Sequence, residues 1–393
     1  METVFDRARI EDYDEVLDFA NYVFSHAHSP TDFRVLLPKL FKPEYFMDGI
    51  NYLAREGGKI KALVGSYPLE IKFGSKGISL PGRGIGTVSV HPYCRSKGYM
   101  KTIMKMAVED MKRDGIVFSC LGGQRQRYEY FGYTLAGIIH NFSCNTANIS
   151  HTLGREWKSG FSLKELGATD SDSLNRIHAM HEAKSVRAGR DREKLFDILS
   201  SWKAKTLVVS EGGNFAGYIV HQSGKTISEI YLKDFSRLPE VLGLFLKEQE
   251  SDSTAVYATA HEHEKIACLS GFAESHRQGA AYQFAVLDHE KFANAFIKQK
   301  ACTGEIREGD FVFRVEDKTM DGTTGNTIRL FAGKDGCGAE KTDRKPELKM
   351  TGIEAVRFLA CSTTALTHPA IRESGFLRDA LPLPVFWEKA DGV

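Results

Sequence analysis

Apolar residues recur along 11–25, "EDYDEVLDFANYVFS", as Val16, Leu17, Ala20, Val23 and Phe24. That spacing places them on one face of a helix. Residues 51–73, "NYLAREGGKIKALVGSYPLEIKF", read as two strands joined at Gly57-Gly58, a hairpin signal. "RGIGTVSVHP" (83–92) is a further strand, ended by Pro92. From Gly98 onward Met100, Met104, Ala107 and Met111 fall at i, i+4, i+7 and i+11, the buried stripe of a helix. "GIVFSCLGG" (115–123) is a short apolar strand closed by two glycines.

The pattern then repeats in outline. "LAREGGKIKALVGSYP" (53–68) is echoed by "VVSEGGNFAGYIVHQS" (208–223), each a strand, Glu-Gly-Gly and a strand, and each preceded by a helical region. In the second case that region spans about 170–203. Such an echo suggests duplication. After about residue 290 the texture changes. "DFVFRVEDKTMDGTTGNTIRLFAGKDG" (310–336) alternates like antiparallel strands with D-G and G-N turns. "PELKMTGIEAVRFLAC" (346–361) reads as a strand followed by a helix. The closing apolar stretch, Leu381 to Trp387, is expected to pack, leaving Val393 near a surface or cleft.

At 393 residues the chain is too long for one core, so two or three domains are expected. Lys plus Arg number 52 and Asp plus Glu 51, a net charge of +1 that argues against a nucleic-acid binder but leaves room for one basic site. Seven dispersed cysteines without a C-x-x-C pair read as reduced thiols of a cytoplasmic protein. The charged N-terminus does not resemble a signal peptide, and no apolar run is long enough for a membrane span.

The chemistry concentrates in "TVSVHPYCRSKGYMKTIMKMA" (87–107). A helix start offers unpaired backbone N–H groups and a partial positive charge, which suit phosphate. Gly98 permits close approach of a ligand, and Arg95, Lys97 and Lys101 add positive charge. Pro92 cannot donate to a neighbouring strand, so the sheet is expected to splay and free the backbone of Val88, Ser89 and Val90 for an extended ligand. A pyrophosphate with an amide-rich arm, as in coenzyme A, fits both features. Neither G-x-x-x-x-G-K-[ST] nor G-x-G-x-x-G occurs here.

V-x-V-x-P-x-x-R-x-x-G leading into a helix resembles the acyl-CoA motif of the GNAT acetyltransferases. By that resemblance Val88, Ser89, Val90, Arg95, Ser96, Lys97, Gly98, Tyr99, Met100 and Lys101 bind the cofactor. Met100 departs from the small residue usual at its position. "GGQRQRYEYFGY" (122–133) resembles the segment bearing the catalytic tyrosine of the enhanced intracellular survival (Eis) type of GNAT enzyme. Tyr128 matches the general acid, and Gly123 and Gln124 match a second cofactor contact, with Arg125 and Arg127 either near the phosphates or solvated.

The resemblance covers the whole chain. It implies an α/β architecture of tandem GNAT folds plus a C-terminal α+β domain like sterol carrier protein. The boundaries expected are 1–150 for the catalytic GNAT domain, 151–290 for a degenerate second one and 291–393 for the last. It also implies that the terminal carboxylate is the catalytic base, here that of Val393, although that family usually ends in an aromatic residue. Asp391 and Glu388 are the alternatives.

The activity expected is transfer of an acetyl group from acetyl-CoA, with no metal, to a primary amine. The acceptor is an aminoglycoside- or polyamine-like small molecule or a lysine side chain. The competing reading is a non-catalytic acyl-CoA sensor with a lipid-carrier domain. A transferase of the Fem type, using aminoacyl-tRNA, is disfavoured by the neutral charge. A homo-oligomer, in that family a hexamer, is implied, with no nucleic-acid or membrane partner. His26 and His28 are candidates for a wall of the amine pocket, and His261 and His263 read as a solvated turn. Cys94 and Cys120 read as ordinary thiols, because no positioned histidine accompanies them.

Overall fold

The computed structural model describes residues 2–27, 29–74, 77–319 and 322–393. Three sheets organise them. The first runs, in spatial order, through Thr3–Arg7, Asn51–Glu56, Lys59–Phe73, Ile78–Val90, Phe118–Leu121, Tyr282–Val286 and Thr134–Ala136, with Val186–Ala188 paired to Lys59–Phe73. The second runs Ser275–Gly279, Ile139–Asn145, Ser253–Thr259, Thr226–Leu232, Asn214–Gln222, Lys205–Glu211 and Phe161–Glu165. The third has the order Gly336–Lys341, Gly322–Gly333, Gly309–Thr319 and Leu348–Met350.

The expected hairpins form in both halves. Gly57 and Gly58 have φ of 61° and 77°, and Gly212 and Gly213 have 55° and 81°, the left-handed pair that closes a two-residue turn. Glu56 faces Lys59 and Glu211 faces Asn214, so the two echoes share register. Each half also contains one parallel pairing next to the hairpin, Ile78–Val90 with Phe118–Leu121 and Thr226–Leu232 with Ser253–Thr259.

The sheets do not follow the expected boundaries at 150 and 290. Ile139–Asn145 joins the second sheet, whereas Tyr282–Val286 enters the first between Phe118–Leu121 and Thr134–Ala136. Each half therefore lends a strand to the other. The helical region expected over 170–203 is two helices, Ser171–Glu182 and Leu195–Ser200, divided by the strand Val186–Ala188. Edge pairing with Ile71–Phe73 of the first sheet overrides helix propensity there. Gly325 and Asn326, expected in a turn, lie inside Gly322–Gly333 opposite Glu316 and Val315.

One face of the first sheet packs on Tyr99–Arg113 through Ile103, Met104, Ala107 and Met111. Its other face, in part, shares a core with the third sheet, where Phe118, Phe292, Phe296, Phe313 and Phe358 meet. The helix Gly352–Ala360 starts with a capping box between Thr351 and Glu354. The tail buries Leu383, Val385 and Trp387 in that core, as its composition demands. No described helix is long and apolar enough to cross a membrane.

Candidate active site

The strand Ile78–Val90 pairs with Phe118–Leu121 only at Gly82, Arg83 and Gly84. Beyond Gly84 the two diverge. The opposite edge stays paired to Lys59–Phe73 as far as Val90, but the register slips between Leu63 and Gly65, across from Thr87 and Val88. Thr87 takes φ 49°, rare for a β-branched residue, and marks a bulge that bends the strand away from its neighbour. The bulge, rather than Pro92, opens the sheet. Pro92 lies past the strand in the short turn Pro92–Cys94.

The His91 N–H donates to Lys61 O at 2.9 Å. Backbone groups alternate along a strand, so the Val90 N–H points the other way, into the opened side. The chain then winds through two left-handed residues, Ser96 at φ 67° and Gly98 at φ 82°, into the helix Tyr99–Arg113. Gly98 is the N-cap, no side chain caps this end, and the first turn holds no acid. The N–H groups and the dipole of the helix therefore face outward, as an anion requires.

These elements enclose an open cleft of about 660 Å³. Val88, Ser89, Val90, Arg95, Ser96, Gly98, Tyr99, Met100, Lys101, Gln124 and Tyr128 line it. Its charged groups are Arg95, Lys101 and Arg127, all cationic. Met100 both lines the cleft and packs on the helix core. The Tyr99 ring turns away, its hydroxyl donating to Glu56 at 3.3 Å.

Two expected cofactor contacts are placed otherwise. Lys97 bonds both carboxylate oxygens of Glu56 at 3.1 Å and does not line the cleft. Gly123 makes room for a ring: a Cβ there would lie 2.5 Å from Cε2 of Tyr128. Its carbonyl accepts from Gln283 Nε2 at 2.6 Å, across the exchanged strand. Gly123 thus supports Tyr128 and takes no part in the cleft wall.

Tyr128 closes the short helix Arg125–Tyr128, edge-on to Tyr133. Burial raises its phenol above the usual range, only partly opposed by Arg127, so it stays protonated at neutral pH. Val393 reaches the same strand from the opposite face. A Cβ on Gly84 would meet Val393 Cγ2 at 2.6 Å, and one on Gly86 would meet the Val393 carboxyl carbon at 2.9 Å. Beside it the Tyr67 hydroxyl hydrogen-bonds Thr87 Oγ1 at 3.0 Å.

The tail is held firmly. Lys39 Nζ donates to the carbonyls of Ala390 and Gly392 at 2.5 and 2.8 Å, and Trp202 Nε1 to that of Gly392 at 3.1 Å. Burial pushes the Lys39 amine down to about 7 against the attraction of Asp391. Glu388 and Asp391, the alternative bases, are buried on Arg190; neither they nor Val393 line the cleft, and of the three Val393 is the one set against Gly84 and Gly86 of its strand. Burial disfavours charge on Arg190, but Asp391, Glu229 and Glu388 outweigh it and hold the guanidinium protonated. These carboxylates, within 4.8 Å of one another, surround a cation already.

His261 is not solvated: Nε2 bonds the Pro384 carbonyl at 2.8 Å, and burial drops its pKa to about 4. His26 lies tilted beside Tyr22 outside the cleft wall, and His28 lies outside the described residues. Cys94 and Cys120 are buried, and burial pushes the Cys120 thiol far up.

Residues 5–136 match the family described as acetyltransferase (GNAT) domain. Over those residues the chain is similar to a GNAT acetyltransferase domain. Solved structures share the fold over the full length of the chain. A probable N-acyltransferase from Enterococcus faecalis V583 is 16% identical with a TM-score of 0.67, covering 99% of this chain and 98% of its own. A GCN5-related N-acetyltransferase from Anabaena variabilis is 12% identical with a TM-score of 0.65, covering 100% and 99%. Eis1 from Mycobacterium abscessus is 13% identical with a TM-score of 0.64, covering 98% and 99%. No curated protein matches the sequence.

Four features of the cleft and of the tail were not read from the sequence. Val23, Phe24 and Ala27 bring the first helix to the cleft rim, and nothing in their helical spacing sets them apart from core residues. The Thr87 bulge carries no signal in a β-branched run. Lys39, inside the apolar run "LLPKLF", was a legible anomaly. Arg190 was not, because its partners are distant in sequence.

Proposed function

We propose that the chain is an acetyl-CoA-dependent N-acetyltransferase acting on a primary amine of a small molecule or a lysine side chain. The observation that carries the reading is the uncapped helix start at Gly98, wrapped by cations and set beside a strand opened by the Thr87 bulge. The diphosphate of the co-substrate sits on the N–H groups of Tyr99, Met100 and Lys101, with Arg95 neutralising charge. Its amide arm runs along Val88, Ser89 and Val90, adding to the open strand. The thioester then lies between Tyr128 and Val393, which approach the strand from opposite faces.

An alkyl ammonium must first lose a proton. The Val393 carboxylate accepts it, directly or through water. The neutral nitrogen attacks the thioester carbon, forming a C–N bond and an oxyanion that the Val90 N–H stabilises. As the intermediate collapses the C–S bond breaks, the nitrogen sheds its extra proton to solvent and Tyr128 protonates the departing thiolate. Tyr128 regains a proton from solvent, and the Val393 carboxyl releases to solvent the proton it took from the ammonium. The sum is acetyl-CoA plus ammonium giving amide, CoA thiol and one proton.

Thiol release from acetyl-CoA, measured against a panel of aminoglycosides, polyamines and lysine peptides, tests the reading. Turnover with at least one amine class is expected. Saturable acetyl-CoA binding with no thiol release above hydrolysis for any amine contradicts it and favours an acyl-CoA sensor. The Eis resemblance further supports a homo-oligomer, which sedimentation equilibrium checks.

A further inference from the structure

In the second half the helix Leu238–Glu248, which follows the parallel-paired strand, carries the acid Glu240 in its first turn, and Arg237 before it is bound to Glu240 and Glu211. This half nevertheless supplies one side of a buried charge cluster. Arg190, fully buried, binds Asp391 through two bonds of 2.8 Å and Glu229 through bonds of 2.6 and 3.1 Å. Its Nη2 reaches Glu388 at 3.0 Å, and Lys184 meets the other Glu388 oxygen at 2.9 Å. Glu229 belongs to the second sheet, whereas Glu388 and Asp391 belong to the tail.

We propose that Arg190 is a positioning residue: it ties the tail to the second half of the chain and so fixes the Val393 carboxylate against Gly86. The inference rests on the reading of that carboxylate as the base. Two residues separate Asp391 from the chain end, and a chain end without an anchor samples many conformers. A proton acceptor displaced by about 1 Å loses on the order of 100-fold in rate. Lys39 and Trp202 hold the Gly392 carbonyl, but both act on neutral backbone. The Arg190–Asp391 fork is the charged, bidentate contact and fixes direction as well as distance. On this account the second half of the chain holds the tail instead of performing chemistry.

The test uses the full chain in three forms: Arg190→Lys, Asp391→Asn, and the unsubstituted chain with a glycine-serine extension after Val393. Asp391→Asn keeps the side-chain shape and guards against misfolding of the arginine variant. The extension is expected to abolish turnover. Both substitutions are expected to lower kcat by about 100-fold while the acetyl-CoA dissociation constant stays within about threefold. Wild-type kcat in both variants, with the extension still abolishing turnover, overturns the positioning role and leaves the terminal base standing. An extension without effect removes the terminal base, and the positioning role with it. Loss of acetyl-CoA binding in step with kcat makes Arg190 a general structural residue and also overturns the proposal.

Discussion

Gly86 stands where a methyl group would collide with the chain's own end, since its Cβ would lie 2.9 Å from the Val393 carboxyl carbon. The backbone there is extended in a strand, so alanine is otherwise tolerated. Gly86→Ala is therefore expected to push the terminus away and cut kcat by roughly 10- to 100-fold, with acetyl-CoA affinity nearly unchanged. Steady-state kinetics beside equilibrium binding separate the two effects. Tyr128→Phe keeps the packing on Tyr133 and removes the proton donor. It is expected to lower kcat on the order of 100-fold without a change in thermal midpoint beyond a few degrees. An unchanged kcat would assign the ring to packing alone. The glycines at 84 and 86 were visible in the sequence but not their purpose, because the atoms they accommodate lie some three hundred residues away.

The helix Tyr99–Arg113 and the strand before it were legible as elements, because the methionine stripe and the Pro-basic-Gly segment are local signals. What opens the sheet was not, because a bulge depends on the pairing of two strands and not on one residue. The short helix Pro38–Phe41 and the tail form a second pair of elements joined by Lys39. Its amine is near 7 in the folded chain and near 10.4 when unfolded. Between those values the unfolded state binds more protons, so this group adds stability as pH rises from about 7 to about 10, and its full contribution lies above that window. Urea midpoints for wild type and Lys39→Met at pH 7 and 9 check the sign. The wild type should gain on the variant as pH rises, and a gain in the opposite direction would place a charged lysine in the fold.

At the scale of the whole molecule the two halves are interlocked. Tyr282–Val286 completes the first sheet, Ile139–Asn145 completes the second, and the tail returns from the third sheet to the first site. The echo at Glu-Gly-Gly disclosed two similar halves, yet a strand exchange leaves no mark in local periodicity. A fragment ending at residue 150 lacks its sixth strand and exposes Phe118 and Phe73, which pack on Phe292 and Phe296. It is expected to be insoluble or molten, and circular dichroism with size-exclusion chromatography decides. Cooperative unfolding of that fragment would show that the exchange is dispensable.

In the proposed reaction the turn at 95–101 seats the diphosphate of acetyl-CoA. Calorimetric titration of acetyl-CoA into the full chain tests it most directly, with Arg95→Ala and Gly98→Val alongside. One saturable site per chain is expected in the wild type and affinity lowered by about 10-fold or more in both variants, since one loses a phosphate partner and the other strains a left-handed residue. No saturable heat in the wild type, or equal affinity in all three proteins, would contradict it.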